Sequence, residues 1–219
     1  MGVGIRAAGP GDRELVVRLL DEAFQDDPVS GWVFPGEEYR RTTHQRLMAA
    51  FTDIVLADGR IDITEDGTAC ALWLPVPAGD RTDEAEQGGN GEEDDETDEA
   101  VRLREAVDPA NARVEEIARL MAEAHPAGRA HEYLWMIGVT PGRQGEGLGS
   151  ALIEHVLRRC DHAGLPAYLE ASSARSTKLY ERLGFAFTGS TLDLPDGGPR
   201  MWPMWREPRS REAARPRSS

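Results

Sequence analysis

The run Gln144-Gly145-Glu146-Gly147-Leu148-Gly149-Ser150 is the stretch best equipped for chemistry. An apolar strand leads into it and an amphipathic pattern leads out. The first backbone N–H groups of a helix have no intrahelical acceptor, and the helix dipole makes them attractive to anions. Glycines there let an anion reach the main chain, so a phosphate or pyrophosphate is the expected guest. A Walker-type phosphate loop needs a Gly-Lys-Ser/Thr ending, and no lysine is present. The dinucleotide fingerprint G-x-G-x-x-G fails in both frames; from Gly147 the third glycine position is Leu152. Gln144, Gly147 and Gly149 do fit a third pattern, Gln/Arg-x-x-Gly-x-Gly/Ala. A tight strand-to-helix turn with no ligand is the plain alternative. Metal chemistry has no support: His155 and His162 are seven apart, and Cys70 and Cys160 form no zinc spacing.

The elements that hold this loop follow from periodicity. Residues 133–139 are a nearly continuous apolar strand, expected to be buried on both faces. Residues 148–163 form a helix with Leu148, Leu152, Ile153 and Val156 inward, ended by Gly164. Residues 167–171 are the next strand, so strand, helix and strand make a βαβ unit. A short helix at 175–183 and a final hairpin, 185–194 with 200–206, complete this half. Upstream, residues 4–8 predict a strand and Asp12 caps a helix carrying Leu15, Val16, Leu19, Leu20 and Ala23. Residues 28–36 read as a loop bearing Trp32 and Phe34. A helix over 37–57 is expected to turn Leu47, Ala50, Phe51, Ile54 and Val55 inward. Strands at 60–65 and 68–74 meet at Asp66-Gly67, a hairpin signature. One helix is predicted over 100–124.

The chain has 219 residues, 40% hydrophobic and 29% charged, which suits one large globular domain. The expected organisation is a single domain over 1–207, with an acidic, disordered insertion at about 76–99 and a flexible tail at 208–219. Residues 80–99 alone carry −10 of the formal charge of −14, leaving −4 on the rest. With no basic stripe, nucleic acid is not an expected partner. Calcium is disfavoured for the acidic run because EF-hand spacing is absent. Two cysteines exclude a disulfide framework and fit a reducing cytoplasm. No apolar run reaches membrane-spanning length, and no leader pattern opens the chain, so no membrane partner is expected.

Around the loop, Ile137-Gly138-Val139-x-Pro141 precedes it and Leu179-Tyr180-Glu181-Arg182-Leu183-Gly184-Phe185 follows some thirty residues later. This combination resembles the GNAT family, the Gcn5-related N-acetyltransferases that use acetyl-CoA. The resemblance is clear over 131–206 and looser upstream. Within the family, 164–170 and 180–185 look most like its puromycin N-acetyltransferase-like members. The resemblance implies an α/β (α+β) fold: a central, mixed but mostly antiparallel sheet of six to seven strands with helices on both faces. It implies that main-chain groups of Ile137 and Val139 pair with the pantetheine arm. It implies that Gln144 and the amides of Gly145, Gly147, Gly149 and Ser150 hold the pyrophosphate, and that Tyr180 protonates the departing thiolate. Many relatives carry an asparagine before that tyrosine; here the stretch is Ser172-Ser173-Ala174-Arg175-Ser176, and Ser176 is the stand-in. Homodimerisation through the last strands is a further implication.

Amine acetylation needs a neutral amine, a thioester held beside it and a proton for the sulfur. A tyrosine hydroxyl, with an ordinary pKa near ~10, suits the last task. A main-chain N–H on the splayed strand, that of Val139 or a neighbour, is the candidate oxyanion donor. Glu132 and Glu170 are the candidate bases, one before the central strand and one ending the next; His131 is a weaker candidate. Trp32, Phe34, Trp73 and Tyr133 are candidate walls of an acceptor pocket, suited to an apolar amine, although any one of them also suits a core. The expected activity is acetyl transfer from acetyl-CoA to the primary amine of a small antibiotic or metabolite, by direct attack in a ternary complex. Protein or peptide acetylation, and acyl-CoA sensing without catalysis, are the alternatives.

Overall fold

A computed structural model describes residues 2–79 and 91–209. The elements in chain order are β1 (Ile5–Ala7), α1 (Arg13–Phe24), α2 (Pro28–Val33), α3 (Glu37–Asp58), β2 (Arg60–Thr64) and β3 (Ala69–Val76). They continue with α4 (Gly91–Val107), α5 (Ala112–Ala124), β4 (His131–Val139), α6 (Leu148–Ala163) and β5 (Ala167–Ala171). The chain closes with α7 (Ala174–Arg182), β6 (Ala186–Phe187), β7 (Leu192–Asp193) and β8 (Arg200–Arg206). The strands order as β1-β2-β3-β4-β5-β8-β6, with β7 also on β8. Every pairing is antiparallel except β4 with β5. This is the mixed, mostly antiparallel sheet expected, with eight strands rather than six or seven because the last hairpin arm is broken into β6 and β7.

The two faces of the sheet are packed differently. On one, α6 lays Leu148, Leu152, Ile153, Val156, Leu157 and Cys160 against Ala71, Trp73, Leu134 and Leu169, all buried. Their spacing puts all six on one stripe of the helix. The Gly164 N–H then bonds to the Cys160 carbonyl and ends it. On the other face, α1 buries Val16, Val17, Leu19 and Leu20, and α3 buries Leu47, Met48 and Val55. Ala50, Phe51 and Ile54, expected inward, are only partly covered because they border an open cleft.

Three expectations are corrected. Residues 28–33 form a helix: the Asp27 carboxylate accepts from the Val29 and Ser30 amides, and Pro28 sits at the first helical position, where its missing N–H costs nothing. The helix expected over 100–124 is two helices, parted at 108–111, where Asn111 caps α5. Of the expected insertion, residues 91–99 belong to α4 and 80–90 lie outside the described residues, as does 210–219 of the tail.

Candidate active site

Strand β4 is where the sheet opens. Glu132 pairs with Ala167 and Tyr133 with Tyr168, and there the contact of β4 with β5 ends. Along β3, Leu72 faces Met136 while Trp73 faces Leu134, so Trp135 is an extra residue, a β-bulge. Its effect is visible in the packing. Leu134 and Ile137 turn to the α6 side, whereas Trp135 and Met136, consecutive in sequence, both turn to the α1–α3 side. Past the bulge, the Thr140 N–H donates to the Thr68 carbonyl at 2.9 Å, on the β3 edge. Backbone direction alternates along a strand, so Ile137 and Val139 point their N–H and C=O groups to the other edge, from which β5 has diverged. An unpaired strand edge of this kind accepts an extended ligand.

A cleft of about 1300 Å³ runs along that edge. One end is the glycine loop. Gly145 and Gly147 have φ of +87° and +85°, and a Cβ added at either would touch nothing within 4 Å. Positive φ explains the glycines locally, and the open space beside them leaves room for a bulky anion. Gly147 caps α6 without any side-chain hydrogen bond to the first turn, so that turn keeps its donors for a ligand. All eight residues expected to bind the cofactor border this one cleft: Ile137, Val139, Gln144, Gly145, Gly147, Gly149, Ser150 and Ser176. The Ser176 hydroxyl donates to the Ser173 carbonyl at 2.8 Å and accepts from the Ser173 hydroxyl at 3.1 Å.

Tyr180, Asp27 and Glu170 are among the ionisable groups that line the cleft. Tyr180 is buried, its ring edge-on to Phe185, and its hydroxyl has no hydrogen-bond partner among the described residues. Burial, then the Asp27 charge, push its pKa to about 12. Asp27 accepts from the Ser172 hydroxyl at 2.6 Å and from the Val29 amide at 2.8 Å, yet burial still raises its pKa. Glu170 accepts from the Tyr133 hydroxyl at 2.7 Å through Oε2. Its Oε1 is buried without a partner. Burial outweighs the tyrosine hydrogen bonds and lifts this carboxyl to about 7. A carboxyl titrating near neutrality with one free oxygen is a competent proton acceptor.

Other expected site residues fall elsewhere. Glu132 does not line the cleft; it lies half-buried on the α6 side, within the fields of Arg159 and Arg60. Trp73 is fully buried under α6, and Phe34 is fully buried against Tyr39 and His44. Trp32 is buried and donates its indole N–H to the Pro195 carbonyl. His131 is buried, with Nδ1 on the Arg129 carbonyl. Of the four aromatic candidates only Tyr133 borders the cleft. Its apolar wall comes instead from Phe24, Phe51, Leu103, Met121, Trp135 and Met136. The spacing of Phe51 and Ile54 on α3 is the signal for this wall. Nothing in the sequence marks the bulge that turns Trp135 into it.

The acetyltransferase (GNAT) family model matches residues 107–185. A mycothiol acetyltransferase of Streptomyces avermitilis is 45% identical over 56 residues, 24% of this chain and 18% of that protein. The chain covers between 18% and 42% of the length of the curated relatives it matches. Among solved structures, a histone acetyltransferase HPA2 and related acetyltransferase from Corynebacterium glutamicum matches with TM-score 0.68 and 26% identity over the whole of both chains. The paia N-acetyltransferase of Thermoplasma acidophilum, solved in complex with coenzyme A, shares the fold at TM-score 0.52, 11% identity, over 94% of this chain and 99% of that one. Among the described residues, no helix is long and apolar enough to cross a membrane. The glycine loop at the head of α6, the parted β4 and β5 and the family match over residues 107–185 lead to one conclusion: the chain carries a GNAT-family acetyltransferase domain.

Proposed function

We propose that this chain transfers an acetyl group from acetyl-CoA to the primary amine of a small molecule, by direct attack within a ternary complex. The observation that carries the reading is the single cleft that joins the glycine loop, the free edge of β4, Tyr180 and Glu170. In this reading the amides at the start of α6 receive the pyrophosphate, and the Ile137 and Val139 edge receives the pantetheine arm. Glu170 Oε1 takes the ammonium proton of the acceptor, leaving a neutral nucleophile. The Val139 N–H faces the developing oxyanion. Tyr180 delivers a proton to the leaving sulfur; at a pKa of about 12 its hydroxyl is fully protonated at neutral pH. The apolar wall of Phe51, Trp135 and Met136 favours an acceptor with an apolar body over a polycation. Overlap with mycothiol acetyltransferases supports a low-molecular-weight acceptor rather than a polypeptide.

The test is thiol release from acetyl-CoA against a panel of amines: puromycin-like and arylalkyl amines, aminoglycosides, polyamines and N-terminal peptides. Release with an apolar small amine supports the reading. Release with peptides alone, or binding of acetyl-CoA with no release for any amine, overturns it.

A further inference from the structure

The transfer chemistry leaves one buried chain of polar groups unused. The Ser30 Oγ lies 3.0 Å from His44 Nε2, and His44 Nδ1 lies 2.7 Å from Asp21 Oδ1. An ionised carboxylate only accepts, so Nδ1 carries the ring proton and Nε2 is left as the acceptor. The serine hydroxyl must then donate into Nε2. That is the order of contacts that activates a serine nucleophile. His44 is fully buried with its ring edge-on to Phe34, and burial lowers its pKa, which keeps it neutral at physiological pH. Ser30 borders the cleft on the first turn of α2, one turn beyond the Asp27 whose charge reaches Tyr180. The relay therefore opens onto the same cleft as Tyr180 through Ser30.

We propose that Ser30, His44 and Asp21 form a nucleophilic relay in the wall of the cleft that hydrolyses acyl-CoA through an acyl ester on Ser30. The inference rests on the acyl-CoA reading of the cleft. In the first step the Ser30 Oγ attacks the thioester carbon and its proton passes to His44 Nε2. The C–O bond forms, the C–S bond breaks, and the thiolate takes its proton from Tyr180, because His44 is fully buried and does not line the cleft. In the second step water attacks the ester carbon and gives its proton to the Tyr180 phenolate. The acyl–oxygen bond breaks, Ser30 takes back the proton held on His44 Nε2, and the carboxylic acid departs. Acyl-CoA and water thus become a carboxylic acid and free coenzyme A, with no oxidant or reductant. Asp21 is a positioning residue here: it fixes the imidazole tautomer and touches no reacting atom.

The wild-type chain is incubated with acetyl-CoA and no amine, thiol release is followed, and acid-quenched samples are weighed and peptide-mapped. The expected result is amine-independent release with one acetyl group per chain on Ser30. Ser30→Ala should abolish the adduct and lower hydrolysis about 10³-fold or more. Asp21→Asn should lower it by about 10²-fold or more through the wrong tautomer, with circular dichroism reporting the fold of both variants. Amine-dependent transfer with no adduct and no amine-independent release overturns the relay and leaves the transferase reading standing. An adduct that maps elsewhere, or survives in Ser30→Ala, also overturns it. No calorimetric binding of acetyl-CoA overturns both.

Discussion

The two faces of the central sheet are built from similar residues and do different work. Beneath α6 the strands meet a closed aliphatic layer in which Leu152, Ile153, Trp73 and Leu169 are essentially inaccessible. Beneath α1 and α3 the same strands border a hollow, and Phe51, Trp135 and Met136 are only partly covered. One strand serves both: the bulge at Trp135 sends Leu134 into the closed side and its two successors into the open one. The closed face fixes the head of α6, which the proposed reading gives to the pyrophosphate, while the open face has the room that reading gives to the acceptor. Precision on one side and room on the other is what the proposed ternary complex needs.

The comparison can be broken at several points. The largest effect belongs to Tyr180→Phe, which should cut turnover by about 10³-fold while acetyl-CoA binds within about twofold of wild type. Thiol release and calorimetry on the same sample check this, and unchanged turnover would remove Tyr180 from its role. Leu152→Ala on the closed face should cost about 3 kcal/mol of unfolding free energy, because the cavity left behind cannot collapse; urea denaturation measures it. Glu170→Gln should lower turnover by about 10²-fold and erase the rise of wild-type rate as pH climbs through about 7. The same carboxyl gives an opposite signature in stability. Its folded pKa, about 7, is raised from 4.5, so its contribution is full below 4.5 and is lost as pH rises through about 7. Above pH 7 the glutamine variant should therefore melt higher than wild type. Trp135→Ala on the open face should raise the acceptor KM by about tenfold and cost only about 1 kcal/mol, since the ring is partly covered. A loss of stability matching that of Leu152→Ala would erase the distinction between the faces.

Much of the closed face was legible in the sequence. The spacing of Leu148, Leu152, Ile153 and Val156, the glycine loop ahead of them and Gly164 behind them all report local backbone needs, and these the fold obeys. Tyr180 and Glu170, the acid and one of the bases expected from the sequence, both border the cleft. The open face was less legible because its geometry is set by tertiary contacts. Glu132 and Glu170 are alike as strand-end carboxylates, and pairing decides which reaches the cleft. Trp32 and Phe34 read as pocket walls because 28–36 read as a loop. The Asp27-Pro28 pair, a cap followed by a proline at the first helical position, was the local signal for the helix that buries them. The relay of Asp21, Ser30 and His44 spans three helices, and no spacing in one dimension announces it.

The central claim is that the bare amides at the head of α6 grip the acyl-CoA diphosphate. Calorimetric titration of acetyl-CoA into wild type and into Gly147→Val tests it most directly, since φ of +85° disfavours a branched side chain and any such side chain would project into the open space assigned to the diphosphate. The account predicts one-to-one binding by wild type, weakened about tenfold or more in a variant whose circular dichroism stays native. No heat of binding for wild type, or equal affinity in the variant, would contradict it.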